Sequence, residues 1–426
     1  MPTVAFITLG CKVNQFDTQA AREGLERAGL DVVAATERAD AYVVNTCCVT
    51  RESHRKSLRR LRHFIRERPE AVVVALGCSV DADPDAFAAL GGLALAAGNE
   101  AKPRLAQLVA DALGIPAPTE ATPWPPISRF DGHTRAFVKI QDGCDDFCAY
   151  CIVPHVRGRV RSRPPHEVAA EVQRLVANGH LEIVLTGIHL GSYGQDSDGR
   201  WALLPLVERL AATPGLRRLR LSSLELREVS DDLLDLIAAS PVLCPHLHIP
   251  LQSGDDSVLG AMNRRYTAAD FLARVEAIRA RITDPALTTD IIVGFPGETE
   301  AQFRRTVEVA RAAAFTRMHI FPYSDREGTA AFTMSGKLPK PVIDARRHEL
   351  LDVARELAET YHHRFVGREI QVLVEGRRDR RTGQLCGYSE RYLRAYFDGP
   401  DTLFATLAPL RVQRVVPRGV AAHLAH

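Results

Sequence analysis

Short apolar runs alternate with helical patterns over the first 113 residues of the chain. The runs predict strands at residues 4–8, 42–45 and 71–76, and the patterns between and after them predict helices at 14–28 and 51–68. Strands that alternate with helices are typical of a parallel sheet with helices on both faces. We therefore expect residues 1–113 to form a doubly wound parallel α/β domain.

A proline-rich segment separates this region from a second α/β region. Residues 113–135 favour a stiff linker because they hold Pro116, Pro118, Pro123, Pro125 and Pro126. Six strand candidates with helical patterns between them follow at residues 137–140, 183–186, 218–221, 246–248, 288–293 and 317–321. Six such units predict a partial (β/α)6 barrel over residues 130–362.

The pattern changes again after a long predicted helix at residues 340–363. Short strand candidates follow at 369–374, 391–397 and 410–416, with glycines between them. Short strands separated by glycine turns are typical of a small β-barrel. We expect residues 363–426 to form an OB-like barrel, which is a common platform for nucleic acids.

Composition narrows the class of protein. Hydrophobic residues make up 46% and charged residues 25% of the 426 positions, as in an ordinary globular protein. No apolar run approaches the roughly 18 residues of a membrane span, and the start lacks a signal-peptide pattern. A cytoplasmic protein is therefore expected. Its nine cysteines then indicate metal or redox chemistry rather than disulfides.

Charge is unevenly distributed along the chain. The net charge is only +2, yet residues 363–426 contain eleven arginines against six acids, a net of +5. A basic module suggests an anionic partner, nucleic acid first, although a solvated arginine-rich face explains the charge equally well. Two further basic stretches are candidate RNA contacts: Arg55, Lys56, Arg59, Arg60 and Arg62, and Arg157, Arg159, Arg161 and Arg163. A solvated helix face is the alternative for the first stretch, and salt bridges within the domain are the alternative for the second.

Three cysteines carry the strongest chemical signal. Cys144, Cys148 and Cys151 have the spacing C-x3-C-x2-C. Thiolates are the usual ligands of iron–sulfur clusters, and three ligands leave one iron of a four-iron cluster without a protein ligand. Such an open iron can take part in chemistry. Structural cysteines or a partial zinc site are the alternatives, and the flanking residues favour the cluster.

Three more cysteines share a position in the predicted first sheet. Cys11, Cys47 and Cys78 each come just after the carboxyl end of a strand, in a turn of small residues. The loops at that edge of an open α/β sheet form its ligand crevice. A second three-cysteine cluster site is therefore predicted, with half-buried free thiols as the alternative.

Both cysteine sets, the barrel pattern and the basic tail together resemble the radical S-adenosylmethionine (SAM) methylthiotransferases. The resemblance covers nearly the whole chain. It rests on residues 8–15 (TLGCKVNQ), 45–47 (NTC), 77–78 (GC), 144–151 (CDDFCAYC), 248–254 (HIPLQSG), 294–299 (GFPGET) and 321–324 (FPYS). The tail resembles the tRNA-binding TRAM domain. The sequence at residues 10–15 is most similar to the type that acts on N6-threonylcarbamoyladenosine in tRNA.

The resemblance implies a reaction, its cofactors and its site residues. The enzyme would replace C2–H of adenosine 37 of a tRNA, next to the anticodon, by a methylthio group. It would use SAM and two [4Fe-4S] clusters, one on each cysteine set, so all six cysteines would be catalytic metal ligands. SAM contacts are expected by loop position at Gly187, Ser223, Gln252 and Asp290.

Several alternatives stay open at this level. The substrate could be isopentenyladenosine 37 in tRNA or an aspartate of a ribosomal protein. A non-catalytic iron–sulfur protein that binds RNA is the alternative from another class. The expected partners are the anticodon stem-loop of a tRNA, an electron donor and a sulfur source, and the last two are unidentified. The carboxylate of a threonylcarbamoyl group would need a charged partner, for which Arg157 and Arg159 are the first candidates.

Overall fold

The computed structural model describes residues 1–116 and 122–425, so Pro118 and His426 lie outside the described part. The first unit is a five-stranded sheet with helices on both faces. Its elements in chain order are β1 (Thr3–Thr8), α1 (Lys12–Arg27), β2 (Asp31–Val33), β3 (Ala41–Thr46), α2 (Arg51–Glu67), β4 (Val72–Gly77), α3 (Cys78–Ala82), α4 (Pro84–Ala88), β5 (Leu95–Ala97) and α5 (Leu105–Ala112).

The strands of this sheet are all parallel and run in the order β2-β1-β3-β4-β5. Every residue of β3 is buried, as expected for a central strand covered on both faces. Leu25 and Leu105 pack on one face, and Leu61 and Phe64 on the other. The predicted doubly wound fold is confirmed. The short edge strands β2 and β5 were not predicted.

The second unit is an open barrel of parallel strands. Its elements are β6 (Ala136–Lys139), β7 (Gln141–Asp142), α6 (Val153–Arg157), β8 (Arg161–Ser162), α7 (Pro165–Ala177), β9 (Glu182–Thr186), α8 (Leu203–Ala211), β10 (Arg218–Leu221), α9 (Asp231–Ala239), β11 (His246–His248), α10 (Asp256–Ala261), α11 (Ala268–Arg281), β12 (Ala286–Val293), α12 (Glu300–Ala313), β13 (Arg317–Pro322) and α13 (Lys340–His363).

Two three-stranded sheets build this barrel, β10-β9-β6 and β11-β12-β13. Single bridges between Leu219 and Leu243 and between Ser223 and His248 join β10 to the β11 side. β7 and β8 form a small antiparallel pair beside it. The partial (β/α)6 barrel is thus confirmed, with the six predicted strands at β6, β9, β10, β11, β12 and β13.

The tail forms a closed five-stranded barrel in the order β14-β15-β16-β18-β17. Its strands are β14 (Glu369–Val374), β15 (Leu385–Ser389), β16 (Arg394–Phe397), β17 (Leu407–Val416) and β18 (Gly419–Leu424). The small β-barrel was predicted, but β15 and β18 were not.

The tail barrel packs on the amino-terminal end of the parallel barrel. Arg218 and Arg220 of β10 donate hydrogen bonds to backbone carbonyls of the tail, at 2.6 to 3.3 Å. The ring of Tyr392 lies 3.6 Å from the Arg220 guanidinium and 4.7 Å from the His246 ring. Tyr392 therefore covers the amino-terminal end of β10 and β11, opposite the end that carries the cysteine loop.

Candidate functional site

Three of the predicted cysteines lie on neighbouring loops at one edge of the first sheet. Cys11 follows β1, Cys47 follows β3, and Cys78 begins α3 directly after β4. The loops after β1 and β3 flank the point where the strand order reverses, which is where open α/β sheets bind ligands. An added Cβ on Gly10, whose φ is +95°, would lie 2.7 Å from Cys47 Sγ. The backbone before Cys11 therefore touches the Cys47 side chain.

Buried hydrogen bonds hold these loops together. Asn14 donates from Nδ2 to the carbonyl oxygens of Leu9 and Thr46, at 2.8 and 2.9 Å. Asn45 donates to the Asn14 carbonyl at 2.9 Å. The backbone N–H of Ser79 donates to Thr46 Oγ1 at 3.1 Å. Side chains from α1 and β3 thus fix the backbone of all three loops.

The donor set of these loops fits a cluster held by three thiolates. Cys11, Cys47 and Cys78 are free thiols, the first exposed and the other two buried. Burial raises the pKa of Cys47, and the charges of Cys11 and Cys78 raise it further. The charges of Cys11 and Cys78 therefore both act on the Cys47 thiol. Iron–sulfur clusters take thiolates from such convergent cysteines.

Cys48 is a fourth thiol beside this set. It is fully buried and packs with Cys78 in an apolar cluster. A hydrogen bond from Cys48 lowers the pKa of Cys78 well below its usual value, and the charges of Arg157 and Lys102 act in the same direction against burial. These groups favour the thiolate of Cys78, which is the form that binds metal.

The second cysteine set lies on an irregular loop between β7 and α6. Gly143 begins the loop with a φ of +78°, and an added Cβ there would lie 1.9 Å from the Arg159 carbonyl. The Cys144 N–H donates to the Gly158 carbonyl at 3.1 Å, which folds the loop back on itself. Only glycine permits this close approach of two backbone segments. The loop lies after β6, on the barrel face where the sequence placed it.

Two cationic side chains contact sulfur atoms of this loop. Cys144 Sγ lies 3.7 Å from His189 Nδ1, and Arg264 donates to Cys148 Sγ at 3.4 Å. Burial raises the pKa of Cys148, whereas the charge of Arg264 lowers it. Burial and the charges of Cys148 and Cys144 raise the pKa of Cys151 to about 12. The three thiols therefore converge and suit one cluster of the kind described for the first set.

His189 and Arg264 were missed in the sequence because isolated cationic residues carry no spacing signal. His189 also contacts Glu228 and lies 3.1 Å from Asp146 Oδ2. Burial opposes its charge, but hydrogen bonds to Cys144 and Glu228 raise the pKa of His189 to about 10. Positive charge beside the thiols would offset the negative charge of a thiolate-bound cluster on this partly buried loop.

A buried network of charges joins the two cysteine sets. Asp17 of α1 pairs with Lys102, at 2.8 Å, and with Lys139 of β6. Arg157 of α6 donates to Asp142 Oδ1 at 2.8 Å. Arg157 also donates to Oδ1 of Asn14, which links the three loops of the first sheet, at 2.6 Å. One network therefore fixes α1 against β6 and the cysteine loop.

Apolar contacts bring the two cysteine sets side by side. Ile152 directly follows Cys151, and it packs with Val156, Cys48 and Cys78 in one buried cluster. Close to this cluster, Asn99 lies 3.5 Å from Cys78 Sγ and donates to the Val156 carbonyl at 2.9 Å.

The four predicted SAM contacts lie at the carboxyl end of the parallel barrel. Gly187 follows β9, and an added Cβ would lie 2.7 Å from Gln141 Oε1. Ser223 bridges to β11, and Gln252 bridges to β12. Asp290 lies within β12 and pairs with two histidines. The buried Oε1 of Gln252 accepts no hydrogen bond among the described residues.

The predicted RNA-contact arginines fall into two groups. Arg157 and Arg163 are buried and ion-paired, so the structure does not place Arg157 where it could meet a substrate carboxylate. Arg159 and Arg161 are exposed. All five basic residues predicted on α2 are exposed, on the helix that directly follows the Cys47 loop: Arg55, Lys56, Arg59, Arg60 and Arg62. That face remains available to RNA.

Two further cysteines lie outside both cysteine loops. Cys244 and Cys386 are buried free thiols in the two barrels, as expected for ordinary thiols. In the described part of the chain, no helix is both long and apolar enough to cross a membrane.

Comparison with known families gives matches over two regions of the chain. Residues 138–310 match the radical SAM superfamily, and residues 3–97 match the "Uncharacterized protein family UPF0004". The chain is 34% identical to the threonylcarbamoyladenosine tRNA methylthiotransferase MtaB of Bacillus subtilis (strain 168), over 97% of this chain and 94% of that protein. It is 38% identical to the MtaB of Thermotoga maritima, over 94% and 92%.

Two further similarities bear on the subfamily and on the fold. The tRNA-2-methylthio-N(6)-dimethylallyladenosine synthase of Desulfitobacterium hafniense (strain Y51) is 34% identical, over 96% of this chain and 94% of that protein. The radical SAM methyltransferase TsrM of Kitasatospora setae has the same overall fold, with a TM-score of 0.58 at 17% identity over 78% of this chain and 77% of that chain.

Proposed function

This chain belongs to the radical SAM tRNA methylthiotransferases, and we propose that its substrate is N6-threonylcarbamoyladenosine 37 of tRNA, methylthiolated at C2. As a member of this family it is an enzyme that uses SAM and a [4Fe-4S] cluster. The two-cluster composition and the identity of the ligands are part of the proposal.

The observation that carries the proposal is the packing of one cysteine loop against the other. Ile152 adjoins one set in sequence and packs on Cys78 of the other. The loops that carry the two groups of three free thiols thus pack together at the carboxyl ends of the parallel strands of both units. A reaction that needs a radical and a sulfur unit at one base requires this proximity.

The two sets of three thiols have different roles in this proposal. Cys144, Cys148 and Cys151 would hold the cluster that, when bound, supplies the electron for reductive cleavage of SAM. Cys11, Cys47 and Cys78 would hold the second cluster, which would carry the sulfur. His189 and Arg264 keep positive charge beside the first set, and Gln252 offers an unpaired acceptor at the barrel end.

The substrate base has to reach this buried region. Adenosine 37 would leave its stack at a cost of a few kcal/mol, which contacts at the barrel end must offset. The exposed basic face of α2 and the basic tail would hold phosphates of the anticodon stem. An electron donor and a sulfur source are also needed, and neither is identified.

The cluster assignment is tested by iron analysis after anaerobic reconstitution. Two four-iron clusters require about eight irons per chain. Cys144→Ala should lose one cluster and all 5′-deoxyadenosine formation. Cys78→Ala should lose the other cluster and methylthiolation, but keep SAM cleavage. Cys244→Ala, a buried thiol away from both loops, is the matched control and should keep both. Full iron content in Cys78→Ala would show that the second assignment is wrong.

The substrate assignment is tested by complementation of a strain that lacks its own enzyme. Recovery of the methylthio-threonylcarbamoyl nucleoside from tRNA supports the proposal. The relative named for dimethylallyladenosine is 34% identical to this chain, the same as the Bacillus subtilis relative. The methylthio-dimethylallyl nucleoside is therefore the alternative product to measure. Recovery of the dimethylallyl product alone would assign the chain to that substrate.

A further inference from the structure

Phe147 is a large apolar side chain that the fold leaves exposed in the middle of a cysteine loop. It is 52% exposed, whereas Ala149 and Ile152 of the same loop are buried. Phe147 and Phe321 are the two aromatic residues among the exposed large hydrophobic residues of the ranges 1–116 and 122–425, and both lie at the carboxyl end of the parallel barrel. Burial of a phenylalanine stabilises a fold, so the exposed ring of Phe147 adds little to the core and is available to a ligand.

The backbone of Phe147 is also in a strained conformation. Its φ is +47°, in the left-handed region that bulky side chains rarely adopt. Asn263, whose own φ is +60°, holds it there by donating from Nδ2 to the carbonyls of Asp146 and Phe147, both at 3.1 Å. Glycine or asparagine would form the same turn with less strain, so the turn alone does not explain a phenylalanine here. Strained residues that their surroundings hold in place cluster at functional sites.

The ring of Phe147 lies beside the place where the two cysteine loops pack together. Its centroid is 5.6 Å from that of the His155 ring, and the two ring planes are at 77° to each other. His155 belongs to α6, whose Val156 packs with Cys78 of the first unit. Because the two rings are not stacked and about half of Phe147 is exposed, a face of its ring is open to a planar ligand.

Basic side chains lie close to this ring. Cys148 and Asn263 line a groove together with the exposed Arg265. Arg159 is also exposed, and its backbone lies against Gly143 at the start of the cysteine loop. An aromatic ring beside exposed arginines is the combination that binds single-stranded RNA, because bases stack on the ring and phosphates contact the cations.

The proposed reaction gives a reason for such a contact. Base 37 has to leave its stack to reach the region of the cysteine loops, so each of the two bases beside it loses a stacking partner. The loop of an anticodon stem-loop is single-stranded, and its bases can therefore meet a protein side chain. An aromatic ring that stacks on one of the two neighbouring bases replaces the contact that base 37 gave up.

We propose that Phe147 is an RNA-binding residue that stacks on a base directly beside adenosine 37, at position 36 or 38, and so stabilises the loop with base 37 extruded. The inference rests on the proposed function. The strained backbone, held by Asn263, fixes the direction of the ring before RNA binds. The stacking of one base on an aromatic side chain corresponds to roughly a 5- to 150-fold difference in dissociation constant.

Equilibrium binding of threonylcarbamoyl-modified anticodon stem-loops tests this contact. Phe147→Leu keeps an apolar side chain but removes the aromatic face, so it should bind the intact stem-loop roughly 5- to 150-fold more weakly than the wild type. Phe147→Tyr keeps the aromatic face and should bind like the wild type. Two further stem-loops, which lack the base of nucleotide 36 or of nucleotide 38, locate the stacked base. The wild type and Phe147→Leu should bind one of these two RNAs with equal affinity.

A second variant tests the same contact without a change in the cysteine loop. Asn263→Gly removes the two donated hydrogen bonds and tolerates the positive φ. It should also weaken binding of the intact stem-loop, and the same abasic RNA should abolish its difference from the wild type. This comparison decides the matter if Phe147→Leu loses iron.

Controls separate RNA stacking from other roles of the ring. Val342→Ala, which trims an exposed apolar residue of α13, should bind every stem-loop like the wild type. Phe147→Leu should keep its iron content and its SAM cleavage without RNA. Unchanged binding of the intact stem-loop by both Phe147→Leu and Asn263→Gly would overturn the inference, as would a loss that persists with both abasic stem-loops.

Two further results would give the ring another role and overturn the inference. One is a changed KM for SAM in RNA-free cleavage by Phe147→Leu, with unchanged RNA binding. The other is slower cluster reduction by flavodoxin but not by dithionite, again with unchanged RNA binding, which would assign the ring to an electron-carrier protein. A wild-type protein that binds no stem-loop at all would overturn the proposed function together with the inference.

Discussion

At the residue scale, the network of buried charges between the first sheet and the barrel is the feature that most needs charged partners. Asp17, Asp142, Lys102, Lys139 and Arg157 are all less than a tenth exposed. Burial alone would raise the pKa of Asp142, but the charges of Arg157 and Lys139 hold it far below its usual range. Three cations against two acids leave a net charge of +1. A thiolate-bound cluster on the adjoining loops would offset that excess.

We predict that Asp17→Asn destabilises the protein by about 3 to 5 kcal/mol, because it leaves two buried lysines without their shared acid. Chemical denaturation followed by circular dichroism measures the change. Asp111→Asn, on the exposed end of α5, is the matched control and should stay within about 0.5 kcal/mol of the wild type. If both variants unfold alike, the network is not what holds the two units together.

At the element scale, the sequence predicted the parallel strands well and the tail strands poorly. Central parallel strands are continuous apolar runs, such as fully buried β3, and their loops follow directly. β15 was missed because Gly387 looks like a turn residue. In the structure that glycine lets strands approach, since an added Cβ would lie 2.3 Å from the Leu373 carbonyl.

The same contrast holds for the candidate site. The six cysteines could be found because their spacing or their position after a strand is visible in the sequence. Lys102, His189 and Arg264 could not be found, because only the fold brings them to the thiols. Arg157 was misread as a substrate contact for the same reason, since its acid lies 15 residues away.

The loop after β1 gives the prediction at this scale. Gly10→Ala would place a methyl group 2.7 Å from Cys47 Sγ and strain a φ of +95°. We expect it to lose one cluster, about four of eight irons, while 5′-deoxyadenosine formation persists. Iron analysis and product chromatography measure both quantities.

Gly29→Ala is the control for backbone strain. Gly29 has a φ of +85° after α1, and nothing lies within 4 Å of an added Cβ there. This variant carries a similar strain without the contact to the cysteine and should keep all of its iron. Equal iron loss in both variants would mean that strain, rather than the contact with Cys47, disturbs the loop.

At the scale of the whole molecule, the tail barrel has two features that affect how its role can be tested. It carries a net charge of +5, and its Tyr392 covers the amino-terminal end of the parallel barrel. Arg218 and Arg220 donate to tail carbonyls, so a truncation at residue 366 would expose both guanidinium groups. Loss of activity after truncation would therefore not separate RNA binding from stability. Surface substitutions make that distinction.

We predict that replacing three exposed arginines of the loop between β14 and β15 by serine weakens tRNA binding. These are Arg377, Arg380 and Arg381. Each arginine that binds a phosphate in the wild type adds about 0.7 to 0.9 to the slope of log affinity against log salt, so the slope should fall by about 2 to 3 if all three bind phosphate. SAM cleavage without RNA should be unchanged, because the loop touches neither cysteine set.

The control replaces three exposed arginines of the outer helices, Arg209, Arg304 and Arg355, which alters the net charge equally. An equal effect in the control would indicate that overall charge, rather than this loop, attracts the tRNA.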